Sequence, residues 1–363
     1  MRTTSMKAKI FGAGSIGNHL AQASRQAGWE VTVVDTDPKA LSRMKNEIYP
    51  KRYGAWDETI RLFVPQDAPK EKYDVVLVGT PPDTHLSIAT RVLREEAPRV
   101  LQIEKPLCSP TLEGLDEFMR EVKNHPETMV VVGFNHLLGA HTLKSEEVIR
   151  GNDLGSIQSI DAEIRSHWKN IFDAHPWLSG PQDTYLGYWK RGGGAGGEHI
   201  HALNLWQHFS HMVGAGRIRE VSAVFDYVKD RGAEYDRSCF LNVVTEKGLV
   251  GRIAQDVITL PKKKFVHVQF EKGSVDWLND VTKTTDQVVM QFHGKDPEVY
   301  DISKTRTEEF FKEIEHIGAL CEGKIAIADS PIRLERGVDS MLVLAAAHKS
   351  YQEKRTVQVE YPW

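Results

Sequence analysis

The sequence has little of what marks a secreted, disulfide-stabilised or membrane protein. Only three of its 363 residues are cysteine, and Cys108, Cys239 and Cys321 lie far apart without CxxC spacing. This pattern excludes a disulfide framework and a zinc knuckle, and it predicts a reducing, cytoplasmic location. The longest apolar runs, such as 75–78 and 129–132, are far shorter than the ~20 residues of a membrane helix. We therefore expect no membrane partner.

The chain also lacks a strong charge of either sign. It has 46 basic and 50 acidic residues, a formal net charge of −4, and no long Lys/Arg tract. Because binding to a nucleic-acid backbone requires a positive surface, nucleic acid is not an expected partner. A composition of 40% hydrophobic and 26% charged residues is typical of a globular protein, and the length predicts two domains.

Short apolar strands alternate with amphipathic helices over the first third of the chain. A first strand is predicted to end with residues 9–11. Further strands are predicted at 31–34, 75–78, 100–103 and 129–132. The first helix carries a buried stripe and ends at Gly28, and another is predicted to begin at Ser109 and Pro110. This order is typical of a parallel sheet covered on both faces. The predicted first domain is a doubly wound α/β domain of residues 1–128.

The remaining residues, 129–363, follow a different pattern. Long alternating strands are predicted at 220–229, 239–245 and 249–257, with a hairpin at 246–248. Two helices follow, one ending near Gly323 and one beginning at Ser330 and Pro331. The pattern predicts an α+β domain with an open antiparallel sheet, and the last helices are candidates to pack back on the first domain.

A glycine motif, G-x-G-x-x-G, follows the first strand and opens the first helix. Gly12 permits the tight turn, Gly14 lets a pyrophosphate approach the backbone, and Gly17 lets the helix pack on the strand. The helix N-terminus offers free N–H groups and a positive dipole. Asp35 ends the second strand, where it can accept hydrogen bonds from ribose hydroxyls and would repel a 2′-phosphate. The motif predicts binding of NAD rather than NADP.

Two further loops lie at the carboxyl ends of predicted parallel strands, where ligands bind in doubly wound folds. The third strand leads into Gly79-Thr80-Pro81, with His85 following, and the fourth into Glu104-Lys105-Pro106. A lysine held at such an edge can stabilise a developing alkoxide or relay a proton.

These motifs resemble the glucose-fructose oxidoreductase, inositol dehydrogenase and rhizopine-catabolism family, written Gfo/Idh/MocA. The resemblance rests on the turn from Gly12 to Gly17, Thr80-Pro81 with His85, Glu104-Lys105-Pro106, Val132-Gly133-Phe134-Asn135 and the stretch from Gly192 to Asn204. It implies an NAD(P)-dependent oxidoreductase with an N-terminal Rossmann domain and a C-terminal open-sheet domain that commonly forms the oligomer interface. The usual substrates are sugars, polyols or nucleotide sugars.

The motifs and the resemblance together give expected roles for individual residues. Lys105 is the expected catalytic lysine. The expected cofactor-binding residues are Gly12, Gly14, Ser15, Ile16, Gly17, Asp35, Thr80, Pro81, His85, Glu104, Lys105 and Asn135. The expected substrate-binding residues are Lys105, Asn135, His136, Trp168, Tyr188, Arg191, His199 and His201.

The glycine and histidine segment departs from the commonest family pattern. It has Glu198 three residues before His201, extra glycines at Gly196 and Gly197, and Asn204 where an aspartate is usual. By the resemblance His201 is the counterpart of the catalytic histidine, and Glu198 can orient it. His199 remains an alternative base. If one helix begins here, Glu198, His201 and Asn204 can share a face.

Four histidines near this segment also raise the question of a metal site. They are His199, His201, His208 and His211. Because His199 and His201 would point to different sides, and because the resemblance implies no metal, no metal is predicted. The aromatic and polar residues between positions 167 and 191 precede the glycine stretch. They can hold a sugar by stacking and hydrogen bonds, or they can form an aromatic core under a loop.

Taken together, the sequence predicts an NAD-dependent oxidoreductase that acts on a secondary alcohol of a sugar, polyol or nucleotide sugar. Two alternatives remain: an enzyme that retains NAD and catalyses a net non-redox reaction such as glycoside hydrolysis, and a non-catalytic NAD-binding regulator. The exposed face expected on the second sheet predicts a homodimer or homotetramer.

Overall fold

A computed structural model describes residues 5–173, 175–305 and 307–362. Its helices are α1 (Ser15–Gln26), α2 (Pro38–Arg43), α3 (Tyr49–Tyr53), α4 (Pro82–Glu95), α5 (Leu115–Asn124), α6 (Ala140–Gly151), α7 (Lys169–Asp173), α8 (Gly194–Glu198), α9 (His201–Met212), α10 (Glu308–Cys321) and α11 (Leu334–Glu353). A π-helical segment (Met44–Ile48) joins α2 to α3, and short 3-10 turns occur elsewhere.

The strands are β1 (Lys7–Phe11), β2 (Glu30–Val34), β3 (Arg61–Phe63), β4 (Val75–Val78), β5 (Val100–Glu104), β6 (Met129–Gly133), β7 (Ile157–Arg165), β8 (Ile218–Asp230), β9 (Ala233–Thr245), β10 (Val250–Asp256), β11 (Lys263–Phe270), β12 (Gly273–Thr282), β13 (Thr285–Phe292), β14 (Glu298–Ser303) and β15 (Val357–Gln358).

The described chain divides into two compact units. The first unit contains the described residues up to 108, together with 113–135 and 307–334. The second unit contains 109–112 and the described residues of 136–306 and 335–363.

The first unit is built on a parallel sheet in the order β3-β2-β1-β4-β5-β6. Its central strands are buried on both faces: all four residues of β4 have no exposed area, as expected for a parallel sheet covered by helices. Helix α1 packs against α10, and α4 packs against α5. The predicted doubly wound domain is confirmed, and the carboxyl ends of its strands share one edge.

Two details of the first part of the chain differ from the sequence prediction. The predicted division after residue 128 would separate β6 from this sheet, but β6 pairs in parallel with β5. The helix expected at Ser109 begins instead at Leu115, because Leu112 and Gly114 have positive φ angles of 60° and 80°. Ser109 and Thr111 share a hydroxyl hydrogen bond of 2.6 Å.

The second unit is built on a nine-stranded sheet in the order β14-β13-β12-β11-β7-β10-β9-β8-β15. It is antiparallel except for the pair β7 and β10, which is parallel. The predicted open sheet is thus confirmed as a mostly antiparallel one. Helices α6, α8 and α9 pack on it. The final helix, expected to begin at Ser330, begins at Leu334.

The uncovered face of this second sheet carries apolar side chains. Val224 and Phe240 are paired across β8 and β9 and remain 63% and 39% exposed, and Val250 on β10 is 51% exposed. A shallow cavity of about 440 Å³ on the same face is lined both by polar residues such as Asp161 and Arg252 and by valines such as Val244 and Val250. Across the described ranges, the helices are too short or too polar to cross a membrane.

Candidate active site

The glycine turn between β1 and α1 has the geometry that its sequence requires. Gly12 has a φ of +105°, and a Cβ there would lie 2.7 Å from the carbonyl oxygen of Gly79. A Cβ on Gly17 would lie only 1.9 Å from the carbonyl oxygen of Gly12. Both positions therefore need glycine, because a side chain would separate α1 from the turn.

The N-terminus of α1 is open to a ligand. Gly14 is exposed, and a Cβ there would meet nothing within 4 Å. Ser15 and Ile16 are half-buried and occupy the first turn, whose N–H groups have no acceptor within the helix. The cradle of free N–H groups and positive dipole fits the pyrophosphate of a dinucleotide.

Arg52 adds a positive charge beside this turn. From α3, its guanidinium donates to the carbonyl oxygen of Ser15 at 3.0 Å and to the Ser15 hydroxyl at 2.9 Å. This contact could not be predicted from the sequence, because Arg52 lies in no motif and is 37 residues from Ser15.

Asp35 follows β2 and braces the same turn. One carboxylate oxygen accepts the N–H of Ala13 at 2.7 Å, and the other accepts the N–H of Asp37 at 2.8 Å. Each oxygen has a second lone pair that can accept a ribose hydroxyl. The half-buried side chain therefore fits the predicted ribose role.

The loops after β4 and β5 are joined by a buried histidine. The His85 ring nitrogens lie 2.7 Å from the carbonyl oxygen of Thr80 and 3.0 Å from that of Pro106. Burial lowers the pKa of His85 below its usual value, and the two carbonyl oxygens that face its ring nitrogens oppose this shift. Thr80 and Pro81 are accessible in the loop after β4, whereas the His85 side chain is buried beneath that loop.

Lys105 follows a buried carboxyl cluster at the end of β5. Its side chain is half-buried, and its backbone N–H donates to Glu104 at 3.2 Å. The Gln102 side-chain amide donates to both Glu104 and Glu313 at 3.1 Å each. Burial raises the pKa of Glu104 to about 7, and burial together with Glu104 raises the pKa of Glu313 well above its usual range. The sequence suggested neither Gln102 nor Glu313.

Asn135 follows β6 at the same edge of the sheet. Its side chain is 8% exposed. Its side-chain oxygen is buried without a hydrogen-bond partner among the residues that the structure describes. An unsatisfied buried acceptor is unusual, and it fits the predicted role in ligand binding.

In the second unit, the glycine and histidine segment forms two helices rather than one. Helix α8 ends at Glu198 and α9 begins at His201, so Glu198 and His201 do not share one helical face. Asn204 is buried and donates to the Ser340 hydroxyl at 3.2 Å. The chain leaves helical geometry at His199, whose φ and ψ angles are −101° and 24°. Helix α8 packs against β9.

The histidines of this segment have different surroundings. The rings of His201 and His136 lie 4.4 Å apart between centroids, so the structure brings together two of the predicted site residues. His199 is buried, with one ring nitrogen 3.4 Å from the carbonyl oxygen of Ser166. His208 contacts Glu146 at 2.8 Å.

The aromatic candidates divide between core and surface. Trp168 is 5% exposed and packs against Tyr235, although its indole N–H has no partner within the described part of the chain. Tyr188 donates to the carbonyl oxygen of Gln182 at 3.1 Å, and the exposed Arg191 lies over its ring. Across residues 5–173, 175–305 and 307–362, no three His, Cys, Asp or Glu side chains are grouped as a metal site.

Comparison with known proteins identifies the first unit. Residues 6–134 match the GFO_IDH_MocA model, an oxidoreductase family with an NAD-binding Rossmann fold. This match confirms the predicted resemblance and the NAD cofactor. No curated protein matches the chain in sequence.

Solved structures share the fold over nearly the whole chain. The aldose-aldose oxidoreductase from Caulobacter crescentus has a TM-score of 0.74 and 18% identity, over 98% of this chain and 99% of that chain. Levoglucosan dehydrogenase with NADH and levoglucosan has a TM-score of 0.75 and 16% identity, over 98% and 100%. The WlbA dehydrogenase from Bordetella pertussis with NADH and UDP-GlcNAcA has a TM-score of 0.70 and 18% identity, over 99% of both chains.

Proposed function

Because residues 6–134 belong to the Gfo/Idh/MocA oxidoreductase family, we propose that the protein is an NAD-dependent dehydrogenase. It transfers a hydride between nicotinamide and a secondary alcohol of a sugar, polyol or nucleotide sugar. The substrate class is supported by levoglucosan and UDP-GlcNAcA, which are bound in two structures of the same fold.

One observation carries this proposal. Lys105 follows the last residue of β5, at the edge of the parallel sheet where β1 ends in the glycine turn and β2 ends before Asp35. A dinucleotide held by that turn lies along the carboxyl ends of the strands, so Lys105 belongs to the edge at which the cofactor is held.

The residues that would hold NAD are those around α1 and the strand ends. Gly14, Ser15 and Ile16 offer backbone N–H groups to the pyrophosphate, with Arg52 beside them, and Asp35 accepts hydrogen bonds from the ribose. When bound, NAD supplies the hydride acceptor.

Side chains of the protein remove the proton from the substrate hydroxyl. The Lys105 ammonium donates a hydrogen bond to the hydroxyl oxygen and stabilises the negative charge that develops there. His201, in contact with the His136 ring, accepts the proton, and Glu198 orients it. His199 is the alternative base.

The proposal is tested by adding NAD or NADP to the purified protein with a panel of sugars, polyols and nucleotide sugars. We expect NADH absorbance to rise with at least one substrate and with NAD preferred. Cofactor binding without turnover across the panel would overturn the proposal. Product formation on copurified NAD without net NADH would also overturn it, in favour of a non-redox enzyme.

The proposal also includes an oligomeric state and a cellular location for the protein. The apolar residues on the uncovered face of the second sheet support a homodimer or homotetramer. The three cysteines are buried free thiols, which supports a cytoplasmic location.

A further inference from the structure

A buried carboxyl group lies under the glycine-rich helix of the second unit. Asp236, on β9, has no exposed area, and its carboxylate accepts the N–H of Gly196 at 2.7 Å. No cation within the described chain forms an ion pair with it, and its second oxygen is buried without a hydrogen-bond partner there. Burial raises the pKa of Asp236 to about 7. Burial of a carboxyl group costs free energy, and the hydrogen bond from the Gly196 N–H offsets part of that cost.

A second buried side chain holds the same helix through its carbonyl groups. Gln255, on β10, has no exposed area, and its side-chain amide donates to the carbonyl oxygens of Ala195 and Gly196 at 3.3 Å and 3.2 Å. Asp236 thus accepts from the backbone of α8 while Gln255 donates to it. A five-residue helix has too few internal hydrogen bonds to fix itself, so these contacts define its position.

Two of the three glycines of α8, Gly194 and Gly196, lie against this carboxylate. Gly194 has a φ of +74°, and a Cβ there would lie 1.9 Å from a carboxylate oxygen of Asp236. A Cβ on Gly196 would lie 3.3 Å from the other oxygen and 3.0 Å from the Leu344 side chain. The extra glycine at 196 is therefore matched to Asp236, 40 residues away.

We infer that Asp236 and Gln255 are positioning residues, which fix the backbone of α8 and thereby hold Glu198 and His201 in place to act on the substrate. The inference rests on the proposed function. Glu198 is the last residue of α8, and only His199 and Ile200 separate it from His201 at the start of α9. Displacement of a catalytic group by ~1 Å can lower a rate by about 100-fold, so tight fixing of this short helix has a kinetic consequence.

The test is a double-mutant cycle with Asp236→Asn and His201→Ala. Asparagine keeps the size of the side chain, removes its charge and places an NH₂ group at one of the two oxygen positions beneath α8. We expect Asp236→Asn to lower kcat by about 10- to 100-fold when His201 is present, and by less than about twofold in the His201→Ala background. The Kd for NADH, which binds the first unit, should change by less than about twofold.

A matched control is Asp339→Asn, which changes another buried acid of the second unit. Asp339 is 3% exposed and is paired with Arg217 at 3.1 Å. This variant should lose stability, and any loss of kcat should be the same in both His201 backgrounds. If Asp236→Asn does not fold, Gly196→Ala replaces it in the cycle, because the new methyl group would press on Leu344 and on Asp236.

The outcomes separate this inference from the proposed function. A wild-type protein with no dehydrogenase activity would overturn both. An active wild type in which Asp236→Asn or Gly196→Ala has normal kcat, or loses the same factor with and without His201, would overturn the positioning role alone. A loss that depends on His201 supports it, since a purely structural change would be independent of that side chain.

Discussion

The two sheets of this protein bury their residues in different ways. In β4 of the first unit every residue is buried, whereas β12 of the second unit alternates between buried and half-buried positions over most of its length. A parallel sheet covered on both faces has polar, accessible backbone only at its strand ends. A sheet covered by helices on only one face leaves its other face accessible to solvent or to another protein. The first unit therefore offers an edge for a ligand, and the second offers an open apolar face.

Both units keep an acid buried beside a candidate site residue. Glu104 precedes Lys105 in the first unit, and Asp236 supports α8 in the second. Each carboxyl contacts backbone N–H groups, and burial raises the pKa of each to about 7. In both units, therefore, a buried acid lies beside candidate site residues. Substitution of the acid in either unit tests whether it matters for activity and stability.

The largest effect is expected from removing one candidate catalytic side chain in each unit. Lys105→Met and His201→Ala should each lower kcat by roughly 10² to 10⁴, the usual contribution of a positioned acid or base. Lys123→Met, an exposed change on α5, serves as the control. Stopped-flow or steady-state NADH formation measures the effect. Normal turnover in Lys105→Met would contradict the mechanism, and normal turnover in His201→Ala would move the base to His199 or Glu198.

The next effect is a loss of stability with rising pH. A carboxyl whose folded pKa is raised stabilises the protein fully below its unfolded pKa, and this stability is lost as the pH rises through about 7. Because burial raises the pKa values of Glu104 and Asp236 from 4.5 and 3.8 to about 7, each should contribute a loss on the order of 3 kcal/mol between about pH 4 and pH 8. Urea unfolding at several pH values measures it.

The same experiment on variants assigns the loss to each unit. Glu104→Gln and Asp236→Asn should each flatten the pH dependence, because an amide does not titrate. Glu117→Gln, an exposed change, should leave it as in the wild type. A pH dependence that is unchanged in both amide variants would show that neither acid titrates in this range.

A smaller effect concerns the choice of cofactor in the first unit. NAD should bind at least about tenfold better than NADP, which corresponds to about 1.4 kcal/mol, because the Asp35 carboxylate repels a 2′-phosphate. Asp35→Ser should reduce this difference, whereas Asp37→Ser should not. Fluorescence titration of NADH and NADPH measures both affinities. Equal affinities in the wild type would refute the role of Asp35.

The smallest effect on activity is expected at the uncovered face of the second sheet. Phe240→Glu should convert a dimer or tetramer into smaller species, since a charge would be buried in the interface. Leu143→Glu, an exposed apolar position on α6 that is 54% exposed, is the control. Light scattering at micromolar concentration measures the mass. A monomeric wild type would refute the predicted assembly.

Much of the first unit could be predicted because its signals are local. The strand spans of β4 and β6 follow from short apolar runs, and Gly12 and Gly17 follow from a motif of six residues. The start of α5 could not be predicted in this way. Ser109 and Pro110 are favourable starting residues, but positive φ angles at Leu112 and Gly114 delay the helix to Leu115.

The sequence by itself determined the two-sheet architecture, the NAD-binding turn and the identity of Lys105 as a candidate, because periodicity, turn chemistry and motif spacing act over a few residues. Only the tertiary structure decided the contacts of Arg52 with Ser15, of Gln102 with Glu313 and of Asp236 with Gly196. These pairs are separated by 37, 211 and 40 residues. Such contacts depend on how distant elements pack, and the buried polar side chains that make them follow no periodic pattern.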